Sequence, residues 1–154
     1  MEGGRGDQEM EGRGEAVIDA SVAVKWFNFE EYWRLADELK MRHVRGSLIL
    51  IAPSLLIFEV SNALRYSPEL GVEDVRRAVN TLLSLQVKLH PPTGELMDEA
   101  IRLAYQYGIT IYDAVYIALA RLRDIPLYTA DERLIRKTGL EHIHHIRELE
   151  GIHQ

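Results

Sequence analysis

The sequence predicts an α/β fold built on a parallel sheet covered on both faces. Three observations carry that expectation. Short apolar runs alternate with longer amphipathic stretches along most of the chain, the layout of repeated strand–helix units. The runs Ala16-Val17-Ile18 and Leu48-Ile49-Leu50-Ile51-Ala52 are apolar at every position rather than at every second one, as strands buried on both faces are. The amphipathic stretches are also longer and more numerous than the strands, so helix content is expected to exceed strand content well.

In chain order, the first strand is expected over about residues 16–19, ending on Asp19, with Ser21 two positions on. Val22, Val24 and Trp26 lead into a helix from about Glu30 to His43, whose apolar positions are Trp33, Leu35, Ala36 and Leu39. Gly46 and Ser47 break it, and the second strand follows at 48–52. Pro53 suits a first helical position, so a helix is expected over Ser54–Tyr66, and another over Val72–Leu85 after Pro68 and Gly71. A short strand at Val87–His90 is ended by Pro91 and Pro92. Helices follow at Glu95–Tyr107, stopped by Gly108, and at Ile111–Arg123. Pro126–Thr129 reads as a strand, Asp131–Lys137 as a short helix and His142–Ile146 as a last strand. There is no internal repeat.

A chain of 154 residues, 47% hydrophobic and 27% charged, has the size and balance of one globular domain. The domain is expected over 15–149, with 150–154 as the C-terminal end. Residues 1–14 (MEGGRGDQEMEGRG) are glycine-rich, charged and aperiodic, the composition of a flexible tail. The chain has no cysteine, which excludes disulfides, thiolate metal sites and cysteine nucleophiles. No apolar run approaches the roughly 20 residues that cross a bilayer, and no signal-peptide layout is present. The expectation is a cytoplasmic protein with no membrane partner.

The net charge of −6 argues against a nucleic-acid partner only until its distribution is considered. Residues 1–14 hold four acids and two bases, which leaves −4 for the remainder. A cluster of four carboxylates would account for all of that, and bound divalent cations would neutralise it.

Four acids stand out. Asp19 ends a buried strand, where a bare charge is too costly and where open α/β sheets place their ligands. Glu59 has Leu55, Leu56, Asn62 and Ala63 at helical spacing, on or beside an apolar face; a surface acid at the border of the stripe is the plain alternative. Asp113 has Ile109, Tyr116 and Ile117 around it, although Thr110 three residues earlier also makes a capping box worth about 1 kcal/mol. Asp131 opens a helix, where the macrodipole favours an acid, and Thr129 with Glu132 fits a capping box too. Capping leaves a repeated pattern unexplained: Asp19 and Asp131 each follow an apolar strand, and each has a hydroxyl two residues away, Ser21 and Thr129. Converging carboxylates repel unless a cation is present. Oxygen-only ligands select Mg²⁺ or Mn²⁺, and two such ions can support phosphodiester cleavage. Ser21, Asn62 and Thr129 suit the task of orienting the carboxylates.

At these residues the sequence resembles the PIN-domain family, and within it the small VapC-type toxin ribonucleases. The pieces that carry the resemblance are VIDASVAVKWF (17–27), IAPSLLIFEVSNALR (51–65), GITIYDAVYIALA (108–120) and LYTADERLI (127–135). They occur in the family's order. The resemblance matches the family's acids to Asp19, Glu59 (with Asn62), Asp113 and Asp131 (with Thr129). It implies a three-layer α/β/α sandwich with a short parallel five-stranded sheet and one or two Mg²⁺ or Mn²⁺ ions per site. It also implies endonucleolytic cleavage of single-stranded RNA leaving a 5′-phosphate, a homodimer, and inhibition by a small antitoxin. RNA contacts are then expected from Lys25, Arg65, Arg133 and Arg136, the basic residues near the motifs.

Other readings are a PIN-like RNA-processing nuclease outside a toxin–antitoxin pair, and a scaffold that binds RNA or protein without cutting. A dehalogenase-type phosphatase would need an aspartate where Ser21 stands, and no glycine-rich phosphate loop occurs. His142, His144 and His145 alternate between strand faces and cannot all ligate one ion; edge-strand surface histidines are expected. The aromatic residues Trp26, Phe27, Phe29, Tyr32 and Trp33 are expected to pack in the core or a dimer contact.

Overall fold

A computed structural model describes residues 14–150. The tail expected over residues 1–14 lies, except for Gly14, outside the described residues, as do residues 151–154 of the C-terminal end. Strands β1 (Glu15–Ile18), β2 (Ile49–Pro53), β3 (Lys88–His90), β4 (Leu127–Thr129) and β5 (Ile143–His145) form one sheet in the order β3-β2-β1-β4-β5. Every pairing is parallel, with Val17 opposite Ile51 on one side and Leu127 on the other. Val17, Ile18, Leu50, Ile51 and Ala52 are fully buried in succession. Because alternate residues face opposite ways along a strand, both faces of the sheet's centre are covered, giving the expected α/β/α layering.

The helices are α1 (Ala20–Ala23), α2 (Trp33–Arg45), α3 (Leu55–Arg65), α4 (Val72–Ser84), α5 (Gly94–Tyr107), α6 (Ile111–Arg123) and α7 (Glu132–Thr138). Turns of 3₁₀ helix follow at Val24–Trp26 and Ile146–Leu149. Helix α6 is buried continuously from Ala114 to Ala120 and packs on α5, β1, β2 and β4. Its alanines let it approach the sheet that closely, and a helix buried all round belongs inside the core. Helix α5 stops at Gly108, whose φ of +64° is the left-handed conformation that glycine adopts without strain. Thr110 then starts α6 by accepting the Asp113 N–H at 3.0 Å.

Three local expectations need correcting. Pro53 ends β2 rather than opening a helix: it pairs with His90 of β3, and the Ser54 N–H donates to the His90 carbonyl at 2.9 Å. Proline has no N–H to give a ladder, which strand ends tolerate. Helix α1 follows Asp19 at once, too short to register as a period. His145 is not a surface histidine; it is 2% exposed, and its Nδ1 accepts the Arg147 N–H, while His142 and His144 are half-buried at the edge strand.

His43 ties three elements together. Its Nδ1 accepts the Leu50 N–H at 3.0 Å, so its Nε2–H donates to the Leu85 carbonyl at 2.7 Å. Trp26 packs against the core and donates to the Ala36 carbonyl, whereas Phe29 is exposed and meets Trp33 edge-on. No helix among the described residues is long and apolar enough to cross a membrane.

Candidate active site

The strand order fixes where a site can form. The chain runs outward from β1 to β2 and β3, then crosses back to lay β4 on the other side of β1. Beyond the carboxyl ends of β1 and β4 the connections diverge, leaving the crevice in which open α/β sheets bind ligands. Asp19 and Asp131 sit there. Since Ile18 pairs with Tyr128, Asp19 lies level with Thr129.

Asp19 is 8% exposed and richly hydrogen-bonded. The Ser21 hydroxyl donates to its Oδ1 at 2.6 Å and the Ser21 N–H at 3.1 Å, while the Thr129 hydroxyl donates to Oδ2 at 2.5 Å. Both hydroxyls also accept a backbone N–H from the turn after β4, Ser21 from Ala130 at 2.8 Å and Thr129 from Asp131 at 3.0 Å. The hydroxyl beside each strand-ending acid is thus one half of a clasp joining the ends of β1 and β4. Burial pushes the Asp19 carboxyl up to about 6; its hydrogen bonds oppose that rise and the Asp131 charge adds to it. Thr129→Val keeps the shape but removes the donor to a buried charged group, and is expected to lower stability by about 2 kcal/mol, read from denaturant unfolding of the two proteins.

Asp131 caps α7, its Oδ1 accepting the Leu134 N–H at 3.1 Å. The Thr129–Glu132 capping box is not formed: Thr129 bonds Asp19 and Asp131, and Glu132 pairs with Arg136 and Arg147. At Asp113 half of the expected capping box is present, the backbone N–H meeting the Thr110 hydroxyl, and the half-buried carboxyl lines a hollow of about 130 Å³ together with Asp131, Thr110, Arg133 and Lys137. Burial and the Asp131 charge raise its pKa; Thr110, Arg133 and Lys137 act the other way. Glu59, on α3, accepts a hydrogen bond from the Tyr116 hydroxyl at 2.6 Å. Burial raises its pKa, as does the Asp113 charge, and the Tyr116 bond lowers it.

The four acids therefore form a linked series, with Asp131 acting on Asp19 and Asp113, and Asp113 on Glu59. Asn62 departs from expectation: it is exposed and makes no side-chain hydrogen bond among the described residues. The basic candidates differ in kind. Lys25 is buried and paired with Glu30 at 3.4 Å, so it is not a free surface cation. Arg65 lies over the Tyr66 ring and Arg136 pairs with Glu132. Arg133 is exposed, lines the acidic hollow, and makes no ion pair among the described residues.

The sequence reading did not single out Lys137, which lines the same hollow and donates to the Gly108 carbonyl at 2.8 Å. Its spacing of four from Arg133 places both on one face of α7, a signal available in the sequence. Tyr116 gives no such signal in the sequence, because an aromatic in an apolar helix reads as core.

The donor set suits a hard divalent cation in kind: four carboxylates and no sulfur, with burial and like charge resisting ionisation of Asp19, Glu59 and Asp113. Among the described residues no three acidic or histidine side chains stand close enough to hold one ion together. The carboxylates would have to draw in around it.

The PIN-domain profile matches residues 16–140. Ribonuclease VapC1 of Mycobacterium tuberculosis is 34% identical over 129 residues, covering 82% of this chain and 92% of that protein. Exonuclease VapC9 of Pyrobaculum aerophilum is 36% identical over 128 residues, covering 80% and 86%. Among solved structures, PAE2754 from Pyrobaculum aerophilum superposes with a TM-score of 0.62 at 27% identity, over 89% of this chain and 93% of that one. VapBC2 from Rickettsia felis, bound to a DNA fragment from its promoter, shares the fold at 12% identity, with a TM-score of 0.63 over 85% and 98% of the two chains.

Proposed function

This chain belongs to the PIN-domain family, and from that premise we propose that it is a metal-dependent endoribonuclease for single-stranded RNA, acting in the cytoplasm as the toxin of a toxin–antitoxin pair. The observation that supports the reading is the set of contacts around the carboxyl ends of β1 and β4: Thr129 joins Asp19 to the backbone of Asp131, Asp131 shares a hollow with Asp113, and the helix of Asp113 holds Glu59 through Tyr116. These carboxylates would hold one or two Mg²⁺ or Mn²⁺ ions, whose chemistry there would be to activate a water and to neutralise charge on the scissile phosphate.

The chain's own groups do the positioning. Ser21 and Thr129 hold Asp19 by both oxygens. Thr110 fixes the start of α6, and with it Asp113. Arg133 and Lys137, on the cationic wall of the hollow, are suited to a backbone phosphate. Two surfaces suit the expected partners. Phe58 and Tyr112, 74% and 62% exposed, line an apolar groove of about 260 Å³, a patch fit for a second copy of the chain. A larger groove of about 690 Å³, lined by Val72, Val75 and Val79 and by Arg65 and Arg76, suits an amphipathic segment of a small antitoxin.

The relatives' names include both a ribonuclease and an exonuclease. Internal cleavage is the reading proposed here. Incubating a covalently closed single-stranded RNA circle with the protein and Mn²⁺ tests this. Linearisation that EDTA abolishes is expected. An intact circle beside a trimmed linear RNA of the same sequence would make the enzyme an exonuclease. No cleavage of either, with RNA still bound, would leave the scaffold reading.

A further inference from the structure

Tyr116 is 2% exposed and lies inside the buried run of α6, where its ring packs as core. Its hydroxyl does something else. It donates to Glu59 Oε1 at 2.6 Å, joining residues 57 apart in sequence. A phenol is protonated at neutral pH and a carboxylate oxygen can only accept, so the hydroxyl is the donor. Glu59 in turn has Asp113 as a repelling neighbour, and Tyr116 is the group that favours its ionised form. Asp113 lies one helical turn before Tyr116, so one helix carries both an acid of the site and the donor that holds another.

We infer that Tyr116 is a positioning residue for Glu59: its hydroxyl fixes one carboxylate oxygen and leaves the other free for the divalent cation. The inference rests on the metal-nuclease reading above. A glutamate side chain has three rotatable bonds, and ordering it costs conformational entropy. With Tyr116 in place that cost is met during folding instead of at ion binding. Hydrogen-bond partners of metal ligands are typically worth 10- to 100-fold in metal affinity or activity.

Calorimetric titration of Mn²⁺ into the wild type, Tyr116→Phe, Glu59→Gln and the double variant tests the inference. Thermal unfolding without metal registers any loss of packing separately. Tyr116→Phe keeps the ring and is expected to weaken Mn²⁺ binding about tenfold and to lower kcat with little change in KM for RNA. In the Glu59→Gln background the same change is expected to add nothing. Unchanged Mn²⁺ affinity in Tyr116→Phe would overturn the inference while leaving the nuclease reading standing. An equal loss in both backgrounds would overturn it too, since Tyr116 would then act on the site without Glu59. Wild-type protein that takes up no Mn²⁺ would end the metal-nuclease reading itself, and this inference with it.

Discussion

Asp113→Asn is expected to reduce RNA cleavage by at least about 100-fold, since groups that merely support a metal ligand are already worth 10- to 100-fold. In free energy that is about 2.7 kcal/mol or more of transition-state stabilisation. The fold is expected to survive. The backbone N–H that meets the Thr110 cap is untouched, and the carboxyl is half-buried beside the Asp131 charge, so removing its charge relieves repulsion. The comparison is Mn²⁺-supported cleavage of single-stranded RNA by wild type and variant, with melting temperatures alongside. A variant that melts normally and cuts at the wild-type rate would remove Asp113 from the chemistry. A variant that melts early would show that its charge is structural.

The second large effect concerns metal-free stability. Asp19 is raised from 3.8 to about 6, mainly by burial, so the folded state binds a proton more tightly than the unfolded chain does. That contribution is fully present below the unfolded value and is lost as pH rises through the folded one. Across the window from about 4 to 6 the shift amounts to about 3 kcal/mol, an order-of-magnitude figure. Glu59 and Asp113 shift in the same direction, whereas His90, His142 and His145 are depressed by burial and favour the fold above their ordinary range. The difference between wild type and Asp19→Asn isolates the one group. In EDTA, the wild type is expected to lose stability relative to the variant between pH 4 and 6, by urea unfolding at each pH. Adding Mn²⁺ at pH 7 is expected to restore the wild type and to leave the variant largely unmoved. Parallel pH profiles for the two proteins would show that the Asp19 charge is not strained by its burial.

The sheet was legible because strands buried on both faces must be apolar at every position, which singles out Val17–Ile18 and Leu50–Ala52. Asp19 was legible as a candidate because a carboxylate directly after such a strand has no cheap structural reason to be there, whereas Glu59 and Asp113, on helices, stood out only by their apolar neighbours. What escaped notice did so for physical reasons. Pro53 fits the first turn of a helix and the last residue of a strand equally well, and pairing with β3 decided between them. Helix α1, of four residues, is shorter than any period that could announce it. Lys25 looks like a surface charge because lysines usually are, yet it is buried behind Glu30. Tyr116 looks like core because its ring is core; only its oxygen, meeting a residue on another helix, says otherwise.

The clasp between β1 and β4 joins residues 110 apart in sequence, Asp19 and Thr129. During synthesis at about 5–20 residues per second, the first acid emerges many seconds before the partners that fix it. Until the Thr129–Asp131 segment clears the ribosome and docks beside β1, the acidic pocket does not exist. Anything the pocket does therefore waits on the docking of a segment made long after Asp19, whose hydroxyl at Thr129 and N–H at Ala130 close the clasp.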